Sequence, residues 1–317
     1  MRPSRTILIT CVQLQQTIDE HREALESAGL TLVLPPVTGQ QLNEDEMISV
    51  VSGVDGIIAG DDQITRAVLE RADRLRVIAK WGVGVDNIDL AAAAERGIRV
   101  SNTPRMFGDE VADVVIGYLV MLARHLHRID TAVRDGTWFK PRGVSLAGKI
   151  IGIIGLGDIG LEVARRCLAM RMRVLGSDIR EEQARAAQRE GVEIADFDRI
   201  MRESDVVSLH CPLTAATHHL LDAAAIARLK QGAWVINTSR GALIDESALI
   251  EALATGHVSA AALDVFEDEP LPDSSALRTL EYVILGTHNS SNTSEAVHRT
   301  SRQAIDNLLA GLREAAP

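Results

Sequence analysis

The chain has 317 residues, of which 46% are hydrophobic and 24% charged, and it carries a net charge of −11 with acids and bases interleaved. That is enough chain for about two domains with large cores, and no basic stripe marks it for nucleic acid. The three cysteines, Cys11, Cys167 and Cys211, stand far apart and build neither a metal site nor a disulfide framework, which fits a reducing cytoplasm.

The opening MRPSRTILITCVQL is positively charged, but its apolar stretch is short and broken by polar residues. It reads as a first strand, not a signal peptide. No apolar run approaches the roughly 18 residues of a membrane span. Thr6 to Thr10 is the first predicted strand, followed by a helix from Thr17 to Ala28 and a strand from Leu30 to Leu34. A helix near Asn43 to Val51, a strand at Gly56 to Ala59, a helix at Thr65 to Ala72 and a strand at Arg76 to Lys80 follow. This alternation predicts a parallel sheet with helices on both faces.

After that last strand comes Lys80-Trp81-Gly82-Val83-Gly84-Val85-Asp86-Asn87-Ile88-Asp89. Two glycines in a loop at a strand end expose backbone N–H groups to a small anion such as a carboxylate. A tight turn feeding the helix Leu90 to Arg96 is an equally good reading of the spacing. Lys80, at the strand end, reads either as positive charge offered to a substrate or, the commoner case for such a lysine, as solvated. Asn102-Thr103-Pro104 breaks the pattern. One long helix is then predicted from Asp109 to Arg134, with Val111, Val114, Val115, Tyr118, Leu119, Leu122 and Leu126 on a wide apolar face. His125 and His127 on it read as surface or packing residues.

A loop, Gly136 to Gly148, leads into the most informative stretch, Lys149 to Asp178. Ile150 to Ile154 is a short β-branched run that reads as a buried strand. It runs into Gly155, Gly157 and Gly160, spaced G-x-G-x-x-G. A helical pattern through Asp158, Ile159, Val163, Ala164, Cys167 and Leu168 follows, and a second strand, Val174 to Gly176, ends at Asp178. In this context the glycines form a dinucleotide fingerprint. Gly155 permits the turn, Gly157 admits the pyrophosphate, and Gly160 lets helix and strand pack closely. The helix start offers N–H groups to the phosphates. Asp178, eighteen residues beyond Gly160, is placed to accept hydrogen bonds from the adenosine ribose, which favours NAD over NADP. Arg180 softens the repulsion of a 2′-phosphate.

The later chain keeps the α/β rhythm. Predicted strands at Asp205 to Leu209, Ala233 to Asn237, Ala260 to Leu263 and Tyr282 to Leu285 end at His210-Cys211-Pro212, Thr238-Ser239-Arg240-Gly241, Asp264 and near His288. A helix, Thr293 to Leu312, closes the chain. Among the strand-end groups, Arg240 can fork onto a carboxylate or carbonyl. His288 can give or take a hydroxyl proton near neutral pH. An acid such as Glu269 would orient that ring and favour its protonated form. Beside a nicotinamide, the chemistry that needs all three is carbonyl–alcohol interconversion. Arg240 on the surface, and Glu269 in a solvated Glu267-Asp268-Glu269 run, are the alternatives at this point.

The chain resembles the D-isomer-specific 2-hydroxyacid dehydrogenases, the family of 3-phosphoglycerate dehydrogenase, glyoxylate/hydroxypyruvate reductase and formate dehydrogenase. The likeness covers nearly the whole chain. It rests on GVGVDNID (82–89), LAGKIIGIIGLGDIG (146–160), HCPLTAAT (210–217), INTSRGALIDESAL (236–249) and ALDVFEDEP (262–270), all in order. The resemblance implies an α/β fold of two Rossmann-like, doubly wound parallel-sheet domains with the active site in the cleft between them. Residues 1–103 with 290–317 would form a discontinuous, flavodoxin-like substrate domain, and 104–289 the NAD-binding domain. It implies Arg240 as the substrate-binding arginine, Glu269 as the acid paired with the histidine, and His288 as the general acid/base. The backbone of Val83 and Gly84 would hold the substrate carboxylate, and Asp264 the nicotinamide carboxamide. His210, Cys211, Pro212, Thr217 and Thr238 would line the cofactor.

The implied protein is a cytoplasmic homodimer, dimerising through its cofactor domains, that interconverts a small D-2-hydroxy acid and its 2-keto acid with NAD and no metal. An NADPH-preferring glyoxylate/hydroxypyruvate reductase and an NADH-sensing, corepressor-like binding protein are the rivals. The chain departs from the family pattern around the histidine. The family commonly has Pro before it and an apolar or small pair after it, whereas here the stretch reads Gly286-Thr287-His288-Asn289-Ser290-Ser291-Asn292. The chain also ends soon after its closing helix, so the regulatory C-terminal domains of longer phosphoglycerate dehydrogenases are not expected.

Overall fold

The computed structural model describes residues 4–314. They divide into two compact units, one of the residues up to Met106 together with those from Asn292 on, the other Phe107–Ser291. Each is an α/β unit built on a wholly parallel sheet.

The first unit has five strands, β1 (Arg5–Ile9), β2 (Leu30–Val33), β3 (Gly56–Ala59), β4 (Val77–Lys80) and β5 (Arg99–Ser101), in the order β2-β1-β3-β4-β5. This is the doubly wound arrangement whose order reverses at β1. Strands β3 and β4 are buried along their full length, as parallel strands covered on both faces must be. The closing helix, Ser294–Glu314, returns to this unit and packs on β3 and β4, with Leu308 over Gly56 and Gly311 against Val77.

Two elements of this unit were not expected, and one expectation is overturned. Two helices stand here: Val12–Gln16, which was not expected, and Asp19–Ser27, which matches the helix expected from Thr17 to Ala28. At Thr17 the first one closes, with the Thr17 hydroxyl donating back to the Gln13 carbonyl at 3.1 Å, a local bond that competes with helix continuation. Strand β5, three residues long, was not anticipated. Lys80 is not solvated: its side chain is 2% exposed. It donates to Asp61 Oδ1 at 2.8 Å and to the Trp81 carbonyl at 3.3 Å. An ammonium survives burial only with such partners, and Asp61 lies too far along the chain for local spacing to reveal it.

The second unit has seven strands, β6 (Ile150–Ile154), β7 (Arg173–Ser177), β8 (Glu193–Ile194), β9 (Val206–Leu209), β10 (Ala233–Asn237), β11 (Val258–Leu263) and β12 (Val283–Leu285). Their order is β12-β11-β10-β9-β6-β7-β8. The chain winds outward from β6 in one direction, then from β9 in the other, so the switch point lies between these two strands. Alternate residues reach opposite faces. Ile151, Ile153 and Ile236 join the core beneath the helix Gly108–Arg124, and Ile154, Val207 and Val235 the core on the other side. That helix packs along the fingerprint helix Asp158–Ala169.

The single helix expected from Asp109 to Arg134 is also interrupted. It spans Gly108–Arg124, stops at His125 in the left-handed conformation (φ 56°, ψ 35°), and resumes as Leu126–Arg134. The first part buries Val111, Val115, Tyr118, Leu119 and Leu122, whereas the second buries no residue and leaves Leu126 exposed. The apolar face therefore ends where the helix breaks. His125 sets its ring edge against Tyr282, which fits a packing role.

Candidate active site

The site is assembled at the carboxyl ends of the second unit's strands. Where β6 ends, Gly155 takes φ +94°, and a methyl group there would lie 2.6 Å from the His210 carbonyl and the Cys211 amide nitrogen. Gly160, in the first turn of the helix, is closer still: a methyl group would lie 1.9 Å from the Gly155 carbonyl oxygen. Only glycine fits either place. The loop after β9 is thus pressed against the glycine turn, at the switch point of the sheet.

Asp178, just beyond β7, accepts the N–H groups of Leu156 and Arg180, each at 2.8 Å, and the Arg180 Nε–H at 3.3 Å. Burial opposes its ionisation. The Arg180 guanidinium and the two backbone donors outweigh that and hold the carboxyl below its usual range. The group is therefore an ionised acceptor beside the glycine turn. The Arg180 guanidinium also reaches the turn itself, with Nη2 3.2 Å from where a methyl group on Gly157 would sit.

Two buried polar atoms at the carboxyl ends of this sheet's strands have no hydrogen-bond partner, His210 Nδ1 against the glycine turn and Thr238 Oγ1 after β10. Buried polar atoms are nearly always paired. An orphaned ring nitrogen at a glycine cradle, with an ionised carboxylate beside it, fits a bound dinucleotide. His210 Nε2 meets the Ser208 hydroxyl at 2.8 Å, and burial pulls the ring's pKa down to about 3. Burial pushes the Cys211 thiol up to about 11, so it is no nucleophile. The Thr217 hydroxyl accepts from the Thr214 N–H at 2.8 Å and donates to the Pro212 carbonyl at 2.7 Å, which shapes the loop after β9. Ile159 is packed against the core, and Asp158 opens the helix beside it.

The neutral His210 has a consequence for stability. Folded, it takes up a proton only near pH 3; unfolded, it does so near 6.5. Between those values the unfolded chain binds more protons, so stability falls as pH is lowered, by up to about 1.4 kcal/mol per pH unit. The melting temperature of His210→Gln is expected to decline less steeply than that of the parent from pH 6.5 to 4.5. Parallel declines would show that His210 titrates freely.

Further along the sheet, the dyad named by the sequence is formed. His288 Nδ1 meets Glu269 Oε2 at 2.8 Å, with both side chains mostly buried. The other Glu269 oxygen accepts the Phe266 N–H at 2.9 Å. The acidic run is divided: Glu267 pairs with His219 at 2.5 Å, and Glu269 turns inward to His288. With Nδ1 on the carboxylate, the second ring nitrogen is Nε2. Arg240 follows β10, two strands from β12 in the sheet order. It is half-buried, not a free surface arginine, and its Nη1 donates to the Ser239 carbonyl at 2.8 Å. Its own carbonyl accepts from Asn237 Nδ2 at 2.8 Å, and Gly241 behind it leaves no room for a methyl group against Phe266.

Asp264 is 2% exposed. Its carboxylate accepts the N–H of Ser290 at 2.8 Å and of Asn289 at 3.2 Å, and the Ser290 hydroxyl. These contacts come from the segment that departs from the family pattern, and spacing alone does not reveal them. In the first unit, the loop after β4 is held by its neighbours. The Gly82 N–H donates to the Thr103 hydroxyl at 2.9 Å, and Asn102 Nδ2 donates to the Val83 carbonyl at 2.7 Å. Val83 is exposed and Gly84 half-buried. Asn102 and Thr103 were visible only as a break before Pro104. Among the described residues there is no group of three or more His, Cys, Asp or Glu suited to a metal, and no helix long and apolar enough to cross a membrane.

Residues 116–290 match the model of the D-isomer specific 2-hydroxyacid dehydrogenase NAD binding domain. The chain is 37% identical over 278 residues to the hydroxypyruvate reductase of Thermotoga maritima, covering 86% of this chain and 90% of that one. It is 40% identical over 291 residues to the D-3-phosphoglycerate dehydrogenase of Methanocaldococcus jannaschii, covering 90% of this chain and 54% of that one. Its fold is similar to the D-lactate dehydrogenase of Aquifex aeolicus, solved with NAD and lactic acid, with a TM-score of 0.86, 28% identity, and coverage of 97% and 96%.

Proposed function

The chain belongs to the D-isomer-specific 2-hydroxyacid dehydrogenase family, and from that footing we propose that it uses NAD to interconvert a small D-2-hydroxy acid and its 2-keto acid, with His288 as general acid/base. The observation that carries the reading is the Glu269–His288 pair, 2.8 Å apart at the carboxyl end of the sheet that also bears the glycine turn. In reduction, Arg240 orients the keto acid, and the Val83 and Gly84 N–H groups hold its carboxylate. Gly155, Gly157 and Gly160, Asp178, His210 and Thr238 hold the dinucleotide, which when bound supplies the hydride. Protonated His288 gives its Nε2 proton to the carbonyl oxygen while Glu269 stabilises the imidazolium. In oxidation the neutral ring accepts the hydroxyl proton.

The cofactor choice rests on Asp178, an ionised acceptor suited to ribose hydroxyls and opposed to a 2′-phosphate. The Arg180 guanidinium on it favours a second reading, in which that cation turns to a 2′-phosphate and NADPH is accepted. Oxidation of NADH and of NADPH is measured against glyoxylate, hydroxypyruvate, pyruvate and 3-phosphohydroxypyruvate. At least one keto acid is expected to turn over, with NADH preferred. Arg180→Ala is expected to weaken NADPH more than NADH. Preference for NADPH in the parent would install the second reading. NADH binding with no turnover on any member would favour a sensor.

A further inference from the structure

Three consecutive backbone N–H groups at the proposed proton donor all end on one residue. The His288 N–H donates to the Asp264 carbonyl at 2.6 Å, the Asn289 N–H to Asp264 Oδ1 at 3.2 Å, and the Ser290 N–H to Asp264 Oδ2 at 2.8 Å. The Ser290 hydroxyl donates to the same Oδ2. Held this way, His288 takes φ +53°, a left-handed conformation that a side chain with a Cβ rarely adopts. Such a conformation persists only where the surroundings over-determine it.

The far side of Asp264 is equally occupied. A methyl group on Gly286 would lie 2.1 Å from Asp264 Oδ1 and 2.6 Å from the Tyr118 hydroxyl. Burial and the facing Asp264 carboxylate push the Tyr118 phenol well up, so its hydroxyl stays a donor. A carboxylate offers about four acceptor sites. Ser290 fills two, Asn289 one, and Tyr118 faces the remainder. The family resemblance would give Asp264 to the nicotinamide carboxamide, but here its acceptor capacity is used within the chain.

We propose that Ser290 and Asp264 are positioning residues: the Ser290 hydroxyl locks the Asp264 carboxylate onto the turn and thereby sets the His288 ring against Glu269. The proposal rests on the reading of His288 as acid/base. Without the hydroxyl, the turn loses a charge-assisted bond to a buried carboxylate. The left-handed residue then relaxes, and the ring moves off Glu269. Displacement of a reacting group by an ångström or less is enough to slow chemistry while leaving binding intact.

The test uses Ser290→Ala and Ser290→Thr in the full chain. NADH affinity is read by fluorescence, the rate with a substrate keto acid as a function of pH, and the His288 ring titration by NMR without cofactor. Ser290→Ala is expected to lower kcat about tenfold with the NADH Kd within about twofold, to lower the ring's titration midpoint, and to be restored by Ser290→Thr. Equal losses in kcat and NADH affinity would overturn the proposal in favour of a cofactor contact. An unchanged kcat with an unchanged midpoint would overturn it outright. If no keto acid is turned over by the parent, the proposed activity fails on its own. The NMR comparison still decides the lock, a lowered midpoint in Ser290→Ala supporting it and an identical one overturning it. Should Ser290→Ala not fold, Asp264→Asn keeps one of the two acceptor oxygens and turns an NH2 to the other donor, and it is expected to lower the midpoint in the same way; an unchanged midpoint there overturns the lock.

Discussion

His288→Ala is expected to lower kcat for keto-acid reduction by about 10²- to 10⁴-fold, the usual worth of a positioned acid, or about 2.7–5.4 kcal/mol of barrier. The NADH Kd should change by less than about twofold, because the ring is held by Glu269 at 2.8 Å and the proposed dinucleotide contacts lie at the glycine turn. The pH profiles carry the more specific signature. Reduction needs the imidazolium, so its rate falls as pH rises through the ring's midpoint; oxidation needs the neutral ring and rises through it. Glu269→Gln keeps a hydrogen-bonding oxygen near Nδ1 but removes the negative charge, so both limbs should move to lower pH. Proportionate loss of NADH affinity in His288→Ala, or coincident pH profiles in the two directions, would leave the histidine a structural role only.

The parts of this site that were legible in the sequence are those whose physics is local. The strand β6, the turn at Gly155 and the helix after it follow from β-branched residues, glycines and a 3.6-residue period within one short stretch. Each glycine requirement then reappears as a backbone contact. Fold class was legible for the same reason, since strand–helix alternation forces a parallel sheet. The parts that were not legible depend on residues distant in the chain. Glu267 and Glu269 are indistinguishable in an acidic run; only the fold sends one to His219 and the other to His288. Lys80 reads as exposed until Asp61 is placed on it. The helix break at His125 carries no proline or glycine and coincides with the end of the buried apolar face, which local spacing does not reveal. Asn289 and Ser290 registered as a departure from a pattern, whereas their contacts with Asp264 make them the frame of the turn.

Two neighbouring glycines should respond to the same substitution in different ways. A methyl group on Gly160 would lie 1.9 Å from the Gly155 carbonyl oxygen and 3.0 Å from its carbon, both rigid backbone. Helix propensity favours alanine there by about 1 kcal/mol, but the overlap forces helix and strand apart, at a cost of about 1–3 kcal/mol or more. The clash wins. Gly160→Ala is expected to lower the melting temperature by about 4–10 °C and to weaken NADH as well, because the turn it displaces is the cradle. A methyl group on Gly157 would meet only Arg180 Nη2, at 3.2 Å, the far end of a flexible and largely exposed side chain. Gly157→Ala should therefore melt within about 1–2 °C of the parent, as surface changes do. Its methyl group would nonetheless stand where the pyrophosphate approaches the backbone. NADH affinity is expected to fall at least about tenfold, 1.4 kcal/mol or more. Melting curves with and without NADH read both quantities at once: the parent is stabilised by the ligand, and Gly157→Ala starts from the same midpoint and gains little. A Gly157→Ala protein with parental NADH affinity would mean that the pyrophosphate does not cross the turn at this residue. The assignment of Asp178 to the ribose would then lose its geometric basis.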